Sequence, residues 1–483
     1  ASAITSMTGT NAYYNLNIGK LDDNHQVTFT AAGDITVNNI LRVTSGGTNT
    51  HTFNGSSHII ILSSSARDSL VVDSSGAELD SSTSTIRFTK SARVPNLTYH
   101  NLQLQPDEAI SRAGSIAMGG DESDLECAVM DPNGEYAYFG SNRDNPWAAA
   151  SIIKIRLSDF SRVGSIVLNA EEAHLTAAAI DRAGDYAYFG VANTPSKIIK
   201  IRLSDFTRVD SITLNAGENY ITTASIDPAN EYIYFGTGTQ PARVIKIRLS
   251  DFSYVGAITL NAGDMSSGEN FLRDSAIDPA GQYAYFGGGY TNTILIKINL
   301  STFTRVGALT LSAPDGNCYS TTIDPAGNFI YIGTDQTRVI KINLATFTRV
   351  GAVATSSGEI YLHAAFTDPA GNFAYFGTCA SSPAKIVKIN LTTFTRVGVI
   401  TLNSGENETD SGIIDPAGNF AYFGTDTSPG KVVKINLTTF TRVGAITLNA
   451  EDGLCSTVID PTGDYAYFGT DTSPGKVVKI NLT

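Results

Sequence analysis

Charge is scarce in this 483-residue chain. Charged residues make up 16% of it, against about 25% in an ordinary globular domain. Basic residues are the scarcer kind: 33 Lys and Arg face 46 Asp and Glu, for a net charge of −13. Affinity for a phosphate backbone rests on clustered Lys and Arg that release counterions, so no nucleic-acid partner is expected. No apolar run approaches the roughly 18–20 residues of a membrane span. The longest, His58–Leu62, suits a strand. A 3.6-residue apolar period sustained over about eleven residues is missing, so helices should be scarce. Catalytic words are missing too: no G-x-S-x-G, H-E-x-x-H, P-loop or EF-hand pattern occurs. Gly, Ser, Thr, Asn and Tyr fill the gap, and 42% hydrophobic residues suffice for a large core. The opening ASAITS reads as a mature end left by signal-peptidase cleavage, so an extracellular or cell-surface location is expected.

What is present is repetition. The word D-P-A-G-x-Y-A-Y-F-G starts at Asp131, Asp181, Asp227, Asp278, Asp324, Asp368, Asp415 and Asp460, about 47 residues apart. K-I-[RN]-L recurs eight times, from Lys154 to Lys479. F-T-R-V-G-A-I-T-L recurs only seven times, from Phe160 to Phe440. Each unit reads as four strands. Strand A ends at I-D, and a Pro-Ala-Gly turn leads to strand B, Y-A-Y-F-G. Strand C contains K-I-N-L, and strand D is R-V-G-A-I-T-L. Four strands per repeat is the pattern of a β-propeller. The missing eighth strand D stands at the other end, as SRAGSIAM at Ser111–Met118. The expected fold is therefore all-β: an eight-bladed propeller over residues 108–483, closed by an N-terminal strand that hides the sheet edges. These words resemble the YVTN family of secreted and surface propellers over about three quarters of the chain. The match departs at strand B, where Y-F-G-T stands for Y-V-T-N.

Residues 1–107 read as a small Ser/Thr/Gly-rich all-β domain of short alternating strands. One word occurs twice there: Y-x-N-L, at Tyr13–Ile18 and at Tyr99–Leu104. The pair is either two equivalent edge strands of one sandwich or solenoid, or a sign of strand exchange. The texture resembles N-terminal modules of bacterial cell-surface proteins.

An active site needs a few unlike residues at one place, so it should break the repeat. The six histidines are His25, His51, His58, His100, His174 and His363. The propeller pair, His174 and His363, falls on opposite blades, too far apart for a shared zinc ion. The eightfold Asp and Lys, and the Arg of strand D, read as scaffold. No catalytic residue, cofactor or metal ligand set is expected. Cys127 with Cys455, and Cys318 with Cys379, fall on adjacent blades and are candidate disulfides in an oxidising compartment. Sequons at Asn54, Asn96, Asn299, Asn390, Asn407, Asn436 and Asn481 are candidate glycosylation sites. Loops B–C and D–A differ between blades, with the single Trp147 in Ser141–Ser151, so ligand recognition belongs on that face.

Three functions compete. The leading one is a non-enzymatic structural subunit of an extracellular fibre or surface layer, a head-to-tail homopolymer displaying its propeller. In it, residues near the start form a donor strand anchored by Tyr13, Tyr14, Leu16 and Ile18 in a neighbour's sheet. The alternative is a surface module that binds glycan or protein through the variable face. A propeller enzyme ranks last.

Overall fold

The computed structural model describes residues 110–482, apart from 143–148, 265–267, 291, 312–313 and 357, and, before residue 110, the backbone of ten strands. The chain divides into two compact units, Ala1–Ala109 and Ile110–Leu482. No helix occurs among the described residues, and none is long and apolar enough to cross a membrane.

The second unit is built of eight four-stranded antiparallel sheets. In blade 1, strand A is Cys127–Met130, B is Tyr136–Gly140, C is Ser151–Arg156 and D is Ser161–Val167. Blade 8 is split between the chain's two ends. Its strands Leu454–Ile459, Tyr465–Thr470 and Lys476–Asn481 are completed by Ser111–Ala117, which pairs antiparallel with Lys476–Asn481. Each strand A touches the strands A of both neighbouring blades, and blade 8 touches blade 1. The eight inner strands therefore form a closed ring about a central channel.

Strand B has a neighbouring blade on each face, so it is buried continuously instead of alternating. Tyr138, Phe139 and their equivalents are buried in every blade, with Ile332 in place of the Phe in blade 5. Gly140 ends the strand where blade 2 presses in. A Cβ there would meet Cys127 Sγ at 2.5 Å and Leu175 Cβ at 2.9 Å.

Four devices repeat around the ring and explain the repeated residues. Asp131 caps the A–B turn, accepting the N–H groups of Glu135 (2.8 Å) and Tyr136 (2.9 Å). Lys154 lays its ammonium 3.9 Å from the ring centre of Tyr136 and donates to the Leu203 carbonyl of blade 2 at 2.9 Å. Every blade repeats this staple, and Lys479 closes the circle onto Leu157 at 3.1 Å. Burial pushes the pKa of Lys154 and of Lys479 down, opposed by Asp131 and Asp460 of the A–B turns. Phe206 opens strand D with φ 51°, in the left-handed region that glycine usually fills, and sets its ring 6.0 Å from that of Tyr138 in the preceding blade. Finally, Arg162 reaches Glu122 in the D–A loop at 2.7 Å, and Arg112 reaches Glu451 at 2.6 Å. Tyr254, which replaces the Arg in blade 3, keeps the link by donating its hydroxyl to Glu218 at 2.7 Å.

The A–B turns interlock through Pro and Gly. A Cβ on Gly184 would stand 2.8 Å from the Pro132 ring of the blade before it. Blade 2 has Arg182 where the other blades have Pro, and blade 3 has Asn230 where the others have Gly. The two exceptions answer each other: the N–H that Arg182 has and proline lacks donates to Asn230 Oδ1 at 2.9 Å.

The first unit is built on parallel pairing. Strands β1 (Ser6–Met7), β3 (Val27–Ala31), β5 (His51–Asn54) and β8 (Ala77–Asp80) form one sheet, in that spatial order. The other runs β10 (Asn101–Leu104), β9 (Thr85–Phe88), β6 (Ile59–Leu62), β4 (Ile35–Thr44), β2 (Asn11–Ile18), with β7 (Leu70–Asp73) also on β4. The chain alternates between the two sheets from β1 to β6, then places β7, β9 and β10 in the second and β8 in the first. Paired strands are mostly 24 to 29 residues apart, as in Asn11↔Ile35 and Leu41↔Leu70. This is solenoid topology. The first Y-x-N-L word lies on terminal strand β2 and the Asn101–Leu102 half of the second on terminal strand β10, as the edge-strand alternative expects; Tyr99 and His100 lie outside the described residues. The strand carrying Tyr13, Tyr14, Leu16 and Ile18 pairs with β4 of its own subunit. The donor-strand expectation is corrected on that point: the strand's main-chain partners are supplied at home.

Candidate functional site at the channel mouth

A buried residue leads into strand A and locks it between blades: Leu in blades 1, 2, 4, 6 and 8, Ile221 in blade 3, Cys318 in blade 5 and Thr409 in blade 7. The next residue points the other way and is half-buried or exposed on the inner ring. Around the circle this position holds Glu126, Thr176, Thr222, Arg273, Tyr319, His363, Asp410 and Cys455. Thr176, Thr222 and Cys455 bond the carbonyl that leads strand A of the next blade, and the other five differ. The residue after strand B also varies, including Asn142, Cys379, Asp426 and Asp471.

These unlike side chains engage one another across blade boundaries. Arg273 lies over the Tyr319 ring at 4.8 Å, and Tyr319 stacks on His363 with ring centres 4.6 Å apart. His363 Nδ1 lies 2.7 Å from Asp410 Oδ1. Cys379 Sγ lies 3.9 Å from the same oxygen. Beyond Asp410 the mouth turns acidic. Burial pushes the Glu126 carboxyl up, and the charges of Asp471 and Asp410 push the same way against a hydrogen bond from Asn142. Asp426 is likewise pushed up by burial and by Asp410, Glu408 and Asp471. His174 hydrogen-bonds Asn142, which donates to Glu126 at 2.6 Å.

A second feature of this face lies further out, between blades 3 and 4. Tyr220, Asn219, Gln240, Pro241, Arg243 and Phe271 line a cleft of about 380 Å³. Tyr220 is 51% exposed and Tyr290 53%, and the Tyr290 ring stands 5.6 Å from that of Phe271.

The four cysteines are free thiols, which corrects the disulfide expectation. Cys127 and Cys455 do sit on neighbouring strands A, but one position out of step. Cys127 occupies the slot of Ser456, and Cys455 that of Glu126. Strand alternation sends them to opposite sides: Cys127 into the core with Leu175 and Phe189, Cys455 toward the Leu125 carbonyl at 3.2 Å. Cys318 fills the leading Leu slot against Tyr285 and Leu295. Cys379 faces forward to Asp410 of blade 7.

The sequons of strand C fall on turn-closing residues. Asn299 Oδ1 accepts the N–H of Thr302 at 2.9 Å, Asn390 that of Thr393 at 2.8 Å and Asn436 that of Thr439 at 2.9 Å. Blades 1 to 3 close the same turn with a salt bridge instead, such as Arg156–Asp159 at 3.1 Å. Asn481 ends the last strand and Asn407 lies in a D–A loop, both half-buried. Asn54 ends β5. Asn96 and Trp147 lie outside the described residues.

No family model matches the sequence, and no curated protein does. Among solved structures the chain is similar to "Kuenenia stuttgartiensis Hydrazine Synthase", at 14% identity and a TM-score of 0.49, over 74% of this chain and 96% of that one. The eight blades follow from the chain's own strand pairing.

Sequence reasoning set His363 against His174 and so missed its real neighbours. Cys379 and Asp410 lie 16 and 47 residues further along the chain. The signal was available in the repeat. Aligning the blades on the buried residue that leads strand A exposes one column that holds seven residue types in eight blades.

Proposed function

We propose that the chain is a non-enzymatic structural subunit of an extracellular fibre, polymerising head-to-tail through its N-terminal unit and displaying the propeller. One observation carries this reading: a Y-x-N-L word and the Asn-Leu half of its copy, Asn101–Leu102, lie on the two terminal strands of a single parallel sheet. A terminal strand offers a row of backbone N–H and C=O groups to another strand. Pairing β10 of one subunit with β2 of the next continues the sheet in the same parallel sense. Matching words at the two ends stack like residues on like, as parallel ladders favour. Such a contact is heterologous and propagates when its rotation does not close. Each subunit keeps its own β2, so no strand is exchanged. Covalent glycans at the sequons belong to the same reading.

Electron microscopy of the purified full chain tests it. Filaments are expected. The double variant Asn15→Lys/Asn101→Lys places like charges on both edges and should give dispersed particles with unchanged propeller melting. Dispersed wild-type particles, or filaments persisting in the double variant, would overturn the reading. The cleft beside Tyr220 and Phe271 favours a second reading, a surface module for glycans. Exposed aromatic rings with amide and guanidinium neighbours suit the faces and hydroxyls of sugars. Wild-type particles that stay dispersed and bind oligosaccharides would support that reading instead.

A further inference from the structure

We propose that His363, Cys379 and Asp410 form a binding site for a divalent transition-metal ion, Zn²⁺ foremost, at the channel mouth between blades 6 and 7. One ligand atom from each, an imidazole nitrogen, Sγ and a carboxylate oxygen, all lie within 4.8 Å of one another. Zinc takes N, S and O ligands at roughly 2.0–2.3 Å, which places tetrahedral ligand atoms about 3.2–3.8 Å apart. The observed separations bracket that range: 2.7 Å from Nδ1 to Asp410 Oδ1 and 3.9 Å from Sγ to the same oxygen. Small side-chain rotations, with no backbone movement, bring the three onto one ion.

The ligand set also selects the metal. One thiolate, one imidazole and one carboxylate form a borderline-soft set that suits zinc and disfavours Mg²⁺ and Ca²⁺, which take oxygen. The His363 ring is already oriented, by its stacking on Tyr319. The surrounding charge favours a cation. Glu408 and Asp426 add further negative charge beside the thiol. A bound cation relieves that repulsion. Three protein ligands leave a fourth position for water or an external ligand. All three residues are half-buried, so the ion has access.

The other blades supply substitutions that the fold already tolerates. The His363 and Asp410 position is Thr176 in blade 2 and Thr222 in blade 3, and the Cys379 position is Ala192 in blade 2. The experiment uses the full chain, stripped with chelator and titrated calorimetrically with Zn²⁺, then with Co²⁺ followed by absorption. Wild type should bind one equivalent of Zn²⁺ and develop the near-ultraviolet charge-transfer band of a cobalt–thiolate bond. Outer-shell changes in zinc sites already cost about 10–100-fold, so His363→Thr, Cys379→Ala and Asp410→Thr should each weaken binding by at least about 100-fold. Cys379→Ala should also abolish the cobalt band while melting cooperatively like wild type. The proposal is overturned if stripped wild type takes up no stoichiometric Zn²⁺. It is equally overturned if the three variants keep wild-type affinity, which would place the ion elsewhere among the acidic groups.

Discussion

The face carrying the A–B and C–D turns and the face carrying the channel mouth belong to the same strands, yet selection has treated them oppositely. On the first, Asp131 and its seven equivalents fill one role, and every Lys of strand C staples one blade to the next. On the second, the residue after the buried one that leads strand A is acidic, polar, cationic, aromatic, imidazole or thiol according to blade. The first face teaches that identity repeated eightfold is the price of closing a ring of equal wedges. Any blade that departs must be matched by its neighbour, as Arg182 is by Asn230. The second teaches that the ring, once closed, leaves its inner rim free to vary.

Breaking closure itself should have the largest effect. Deleting Ser111–Met118 removes the fourth strand of blade 8 and exposes the edge of Lys476–Asn481. The shortened chain should aggregate or lose its cooperative transition, read by light scattering and calorimetry. Unchanged monodispersity and melting would contradict ring closure by this strand.

Matching between neighbouring turns can be measured with a double-mutant cycle. Arg182→Pro alone drives a proline ring toward the Cβ of Asn230, where other blades keep Gly. Asn230→Gly alone leaves the Arg182 N–H without its acceptor, costing about 0.5–1.5 kcal/mol. The double variant restores the Pro–Gly contact of the other blades. Chemical denaturation should show it more stable than either single variant, with a coupling of about 1 kcal/mol or more. Simple additivity would show that the two exceptions are unrelated.

The smallest effect sharpens the contrast through pH. Glu122 belongs to the scaffold. Burial pushes its carboxyl up, but hydrogen bonds from Ser165, the Gly119 N–H and Arg162 outweigh that and hold it below its ordinary range. Its contribution is present above the unfolded carboxylate range and is lost as pH falls through the lowered folded value. Glu126, at the mouth, is pushed up by burial and by Asp471 and Asp410. Its sign is reversed: the folded state is penalised once pH rises through the raised value, and acidification removes the penalty. Melting temperatures across pH 3–7 should therefore diverge in opposite directions. Glu122→Gln should lower Tm at neutral pH. Glu126→Gln should raise it slightly, and both differences should shrink toward acid. A lower Tm for Glu126→Gln at neutral pH would show that the mouth acids stabilise the fold.

The repeat words carried the propeller. Strand number, turn positions and the split eighth blade were all legible, because each depends on local chemistry copied eight times. Asp131 as a turn cap and Lys154 as scaffold were readable for the same reason. The disulfide pairs failed because adjacent blades bring strands together without saying which side a residue faces. One residue of offset between Cys127 and Cys455 reverses the answer. The solenoid was only half legible: short Ser/Thr strands announce themselves, but parallel pairing at 24 to 29 residues depends on how the chain coils.

The sequence by itself determined the architecture, since hydrogen bonding and burial in a blade depend on a pattern that repeats within about 47 residues. Only the tertiary structure decided which side chains meet at the mouth. Arg273, Tyr319, His363, Cys379 and Asp410 come from four successive blades, and no local rule links them. They are neighbours because wedge-shaped sheets, packed at equal angles, bring the inner strands together around one axis.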